Sequence, residues 1–202
     1  MRTARHLAFD VQGSVSISAA WLSGIFIVLF GSAVEMAYSY WQSNALQHAA
    51  KHGVRIATTT SPVADDLTLI TGLEGGAEVG DPMPDYQITC YGKTLSCTRG
   101  TFNQDAFDKI FYGLDNDGTC LETTAARRGM CDMFGRLRPE NITITYQNSG
   151  MGRAGTPPDL IPVVTVSISQ IQQNYLFVDF FKIDSGATYL GATALGIAED
   201  ME

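Results

Sequence analysis

The run from Ser14 to Val34 holds 21 consecutive residues without a charge, and Glu35 ends it. As a helix, such a run is about 31 Å long, close to the hydrocarbon thickness of a bilayer. Arg2, Arg5 and His6 precede it, and few basic residues follow closely. The positive-inside rule then keeps the N-terminus in the cytoplasm and exports the remainder. Tyr38, Tyr40 and Trp41 fall where an interfacial aromatic belt would lie.

A secretory signal is one reading of such a run. Its apolar core is typically about 7–15 residues long and ends at a small-x-small site. Here the run is longer, and helical spacing continues past it. Tyr38, Trp41, Ala45, Ala49 and Gly53 recur on one face, as do Leu46, Ala50, Val54 and Ala57. No proline interrupts the chain from there until Pro62. The spacing predicts one helix over 14–58, roughly 65 Å long. Half would lie in a membrane, and half would project and pack on a domain. The expected organisation is a leader over 1–13, the helix over 14–58 and an exported domain over 59–202, with the boundary near 59–64.

Residues 36–202 carry 11 Lys and Arg against 19 Asp and Glu. An acidic exported domain repels phosphate backbones, which argues against a nucleic-acid partner. Cys90, Cys97, Cys120 and Cys131 all follow the apolar run, at C-x6-C and C-x10-C spacings. Neither is the C-x2-C of a zinc ribbon. Outside the cytoplasm, disulfides are the simplest reading, with buried thiols as the alternative. Three pairings can be drawn. Cys90–Cys97 with Cys120–Cys131 is favoured because both would close short loops.

The exported part reads as α+β. Residues 58–86 are rich in Gly, Pro and Asp and read as loop with one short element. Residues 86–100 predict a hairpin carrying Cys90 and Cys97. Phe107, Ile110, Phe111 and Leu114 share one face of an amphipathic helix, and 123–137 reads as a weaker one. The segments NITITYQN and PVVTVSISQI alternate with β-branched residues and are the clearest strands. YLFVDFFKI and ATYLGATALGI are expected to complete an antiparallel sheet.

Several motifs bear on chemistry. Gly150, Gly152 and Gly155 form a G-x-G-x-x-G after a strand, but TPPD follows, and phosphate binding needs a helix N-terminus there. The DNDGT stretch lacks EF-hand ligand spacing, which leaves an Asx-type turn ahead of a calcium site built from Asp115, Asp117 and Glu122. His48 and His52 share a helix face with no evident third ligand, so no metal or cofactor is expected. Arg127, Arg128, Arg136 and Arg138 form the one basic cluster, read as solvated surface ahead of a dock for an acidic partner. His6 precedes the membrane run, and no serine–histidine, cysteine–histidine or H-E-x-x-H arrangement occurs. An enzyme is therefore not expected.

A short basic leader with Gly13 directly before the apolar run resembles the class III signal of type IV pilins and pseudopilins. GSVSISAAWLSGIFIVLFGSAVEMAYSYW, with AAKHGVRIA at 49–57, is similar more narrowly to the N-terminus of TadE/TadF-like pseudopilins of the tight-adherence (Tad, Flp-type) pilus system. Glu35 matches the glutamate at the end of that family's apolar helix. NITITYQNSGMGRAGTPPDLIPVVTVSIS is similar to its strand, glycine-rich loop and strand. The resemblance implies a pilin-like fold, with a long N-terminal transmembrane helix packed on a small antiparallel sheet with short helices. It implies cleavage between Gly13 and Ser14 by a prepilin peptidase. It also implies a bacterial inner-membrane location, a periplasmic domain, and pilins, pseudopilins and pilus assembly proteins as partners. The sequence departs from the family at Ser18, where a glutamate is usual. Serine spares the cost of a carboxylate in the membrane, about 2.5–3.5 kcal/mol, but carries no charge. The other reading is an uncleaved single-pass protein whose exported domain binds a ligand or partner.

Overall fold

The computed structural model describes residues 11–114, 118–120, 128–155, 160–177 and 186–198, with side chains from Ser16 onward. Residues 1–10 of the leader, Asp115, Asp117, Glu122, Arg127 and the TPPD stretch lie outside the described residues.

Helix α1 runs over Val11–Ala57, starting upstream of the expected residue 14. Its first half is apolar all round and exposed, as in Trp21, Leu22, Phe26, Val28 and Leu29. A helix with no polar face is stable only in an apolar surrounding. Its hydroxyls fold back on the helix itself: Ser23 Oγ donates to Ala20 O (2.9 Å) and Ser32 Oγ to Val28 O (2.8 Å). These donors are thus satisfied without water. This one helix is long and apolar enough to span a membrane, consistent with a single-pass membrane protein.

The described chain falls into two compact units, and the division lies between Tyr40 and Trp41, inside α1. The second half of α1 is part of the core of the second unit. Leu46, Ala49, Ala50, Gly53, Val54 and Ala57 are buried at i, i+3, i+4, i+7 spacing, while Gln47, His48, Lys51 and Arg55 are exposed. The helix ends in three threonines. The Thr58, Thr59 and Thr60 hydroxyls donate to the carbonyls of Arg55 and Ile56, groups that have no intrahelical partner. Pro62 prevents further turns.

In the second unit the described strands are β1 (Gln87–Tyr91), β2 (Ser96–Cys97), β3 (Ile142–Asn148), β4 (Pro162–Gln172) and β5 (Tyr189–Ile197). They form one antiparallel sheet in the order β2-β1-β3-β4-β5. Alternation turns Ile142, Ile144 and Tyr146 of β3 and Val164, Val166 and Ile168 of β4 inward. The register lines up Cys90, Ile144, Val166 and Ala194 across four strands, and Ile88, Tyr146, Val164 and Gly196 in the next row. Each row ends on a small residue in β5, and there α1 closes in. A Cβ on Gly196 would fall 2.6 Å from Val54 Cγ1.

A bulge between Ile168 and Ile171 places Gln170 at φ 60°. Buried Asn141 holds it: its Nδ2 donates to Ser169 O (3.2 Å), and its Oδ1 accepts from Arg138 N (3.1 Å). Helix α2 (Gln104–Tyr112) starts at Asn103, whose Oδ1 accepts from Ala106 N (3.1 Å). It buries Phe107, Ile110 and Phe111 on the expected face. Helix α3 is one turn, Met130–Met133, with the Asp132 carboxylate accepting from Gly129 N (2.9 Å). Two 3-10 turns, Asp65–Leu69 and Leu73–Gly75, stand where one short element was expected. Leu176 and Phe177 have helical backbone, not the strand expected for YLFVDFFKI, whose remainder from Val178 lies outside the described residues.

Candidate functional site

The most specific polar arrangement in the first unit is centred on Glu35. Its Oε1 accepts from Leu176 N at 2.9 Å, while Oε2 accepts from Leu176 N at 3.0 Å and from Phe177 N at 2.7 Å. A helical turn starts there, and its first N–H groups have no partner within the turn. The carboxylate supplies one, in charge-assisted bonds stronger than neutral ones. One turn earlier on the same face of α1 lies Gly31. The Phe177 ring rests on it, and a Cβ on Gly31 would fall 2.9 Å from Phe177 Cε1. Gly31 and Glu35 thus act together, one giving the ring its seat and the other fixing the backbone.

Glu35 thus holds the backbone of its own chain. Gly31, like Ala19, Ala20, Gly24 and Ala33, is a small residue of the kind that lets helices approach closely. It is buried under Phe177, whereas the other four are exposed and Gly24 has open space before it. Ala20, Trp21, Gly24, Ile25, Val28 and Leu29 line a shallow apolar concavity. Ser18 sits on the exposed helix surface. The backbone of Gly13 and Ser14 lies in the first turn of α1. No local pattern announces the Glu35 contact, because its partners are 141 and 142 residues away. The only signal in the sequence is an acid directly after an apolar run.

In the second unit, Cys90 is bonded to Cys97 and Cys120 to Cys131. Cys90 and Cys97 face each other across the β1–β2 hairpin, with Cα atoms 4.0 Å apart. The basic cluster is not uniformly solvated. The Arg136 guanidinium donates to Oε1 of fully buried Gln42 and to Gln172 O (3.3 Å), and lies 5.0 Å from the centroid of the Phe134 ring. It is a fold contact, so it cannot also serve as a free basic dock. His52 Nε2 lies 2.6 Å from Arg128 O, while His48 is exposed.

The glycine-rich loop is laced to the segment before β1. Met83 N donates to Gly152 O, Ala154 N to Asp81 O, and Gly155 N to Thr71 O. Gly150 N and Met151 N donate to the Asn148 and Ser149 side chains. The N–H groups of Gly150, Met151, Ala154 and Gly155 are thus committed to the fold and are not available to cradle a phosphate. Burial pushes the Tyr146 and Tyr86 hydroxyls up to about 12. Tyr146 Oη accepts from Val63 N at 3.0 Å, and that hydrogen bond opposes the rise. Tyr86 Oη is buried without a partner among the described residues, next to a polar depression lined by Asp85, Gln87, Gln147 and Asn148. Among the described residues no three His, Cys, Asp or Glu side chains are grouped to hold a metal. Comparison with protein-family models, with curated proteins and with solved structures found no match for this chain.

Proposed function

We propose that the chain is a minor pseudopilin or membrane-anchored assembly factor of a Tad/Flp-type pilus, cut by a prepilin peptidase between Gly13 and Ser14. The observation that supports this reading most is the division of labour within α1. Its first half is apolar on every face, and its second half contributes Leu46, Ala49, Ala50 and Val54 to the core of a disulfide-bearing antiparallel sheet. An anchor that must stay on the mature protein has this form, whereas a discarded signal has no reason to extend into a core.

In this reading the helix holds the protein in the inner membrane, with the N-terminus cytoplasmic and the domain periplasmic. During assembly, Ala19, Ala20, Gly24 and Ala33 would let neighbouring pilin helices approach closely. Contacts with those helices would then offset extraction from lipid.

The test is the intact mass of protein taken from its native membrane, with and without the prepilin peptidase. A peptidase-dependent loss of residues 1–13 is expected. Ser18 favours a second reading, since the usual glutamate is missing there. An uncleaved chain in both strains would make the protein a single-pass anchor for an exported binding domain.

A further inference from the structure

Glu35 follows directly on the 21-residue uncharged run, so a helix that spans the bilayer with that run brings its carboxylate to the interface. Leu176 N and Phe177 N are bonded to that carboxylate at 2.7–3.0 Å, which fixes their depth at the same level. We propose that the β4–β5 connection, where it meets Glu35, is a second membrane contact: Tyr175, Leu176 and Phe177 lie in the lipid interface beside α1. The inference rests on the reading that residues 14–34 cross a bilayer.

Three observations carry it. First, Leu176 is 47% exposed although its backbone is held tightly, so an apolar side chain is presented outward at the interface level. Second, seven of the nine residues from Tyr175 to Ile183 are apolar or aromatic, a composition that a water-exposed connection between strands does not need. Third, the large exposed side chains of α1 just past Glu35 match an interface: Met36, Tyr40 and Trp41 are 77%, 71% and 59% exposed.

The chemistry is reciprocal. A backbone N–H entering the interface must find an acceptor, and a carboxylate at the edge of hydrocarbon must find donors. Glu35 and the 176–177 turn satisfy each other. The occupant is therefore phospholipid, at the level where acyl chains meet headgroups.

The test uses the full chain in vesicles of mixed zwitterionic and anionic phospholipid. The native cysteines are all paired, so one added cysteine gives one labelling site. Nitroxide labels on Leu176→Cys, Phe26→Cys and Leu195→Cys are compared by collision with oxygen, which partitions into lipid, and with a water-soluble nickel chelate. The expected result is lipid-like collision at 176 and 26, and water-like collision at 195, where Leu195 is 71% exposed on β5. Adding Glu35→Ala should shift the 176 label toward water and leave the 26 label unchanged. A lipid-like label at 26 with a water-like label at 176 would overturn the inference while leaving the span intact. A water-like label at 26 would overturn the span itself. A label at 176 shielded from both reagents would mean that a protein, not lipid, covers the turn.

Discussion

Gly53 and Met130 touch with no space for a side chain between them: a Cβ on Gly53 would fall 2.3 Å from the Met130 sulfur. Met130 is fully buried, so it cannot swing into water to make room. Gly53→Leu should therefore destabilise the second unit by about 1–3 kcal/mol through overpacking. Chemical denaturation of the detergent-solubilised protein, followed by near-UV circular dichroism, measures it. Combining Gly53→Leu with Met130→Ala should cost less than the sum of the two single changes, because the new side chain fills the vacated space.

Tyr146 makes the fold sensitive to alkali. Its folded-state pKa is raised to about 12 from an ordinary value of 10.0. A raised value means that the neutral form is the one bound in the fold. The stabilisation is complete below the unfolded-state value and is lost as pH climbs through the folded-state value. Stability should fall between about pH 10 and 12, by up to about 2–3 kcal/mol. Tyr146→Phe should flatten that fall, and at neutral pH cost about 1–3 kcal/mol for the Val63 N–H left without its acceptor. Denaturant midpoints across the pH series separate the two effects.

A fragment that starts at residue 59 should not fold, whereas one that starts at Trp41 should. The shorter fragment lacks Leu46, Ala49, Ala50, Val54, Ile56 and Ala57, all buried. Leu46 alone accounts for about 1.5–3 kcal/mol of burial. The fragment from 41 is expected to melt cooperatively. The one from 59 is expected to bind a hydrophobic dye and show no near-UV signal. A cooperative melt for both would refute the role given to this half of α1.

Arg136 tests a buried polar contact. Arg136→Ala takes the guanidinium from Gln42, which is 0% exposed, and should cost about 1–3 kcal/mol. Gln42→Leu with Arg136→Met should recover most of that loss, since no desolvated amide then lacks its donor. Thermal melting of the three proteins, wild type included, decides it.

Where local periodicity carries the information, the sequence was legible. Ile142, Ile144 and Tyr146 alternate because one face of β3 is buried, and Phe107, Ile110 and Phe111 repeat because one face of α2 is. The hairpin followed from a turn between two alternating runs. The rest depended on distant partners. Leu176 and Phe177 have strand-like composition, but their N–H groups turn toward an acid on α1. Arg136 reads as surface until Gln42 is found beneath it. The bulge near Gln170 has no turn signal of its own, because Asn141 imposes it from another strand's entry. The Glu35 site was half legible: its acid stood out, and what the acid holds did not.

The small residues of β5 carry a consequence for biosynthesis. The buried stripe of α1 leaves the ribosome early, and Gly196, against which Val54 packs, leaves it some 140 residues later. Both disulfides span short stretches, 7 and 11 residues, and can close long before that. Thus the cross-links form first and the helix finds its cover last. Until β5 arrives, an apolar helix face and the open edge of β4 stand exposed. A holding chaperone would be needed over this interval, and a stalled or proteolysed C-terminus would leave a chain with correct disulfides and no finished core.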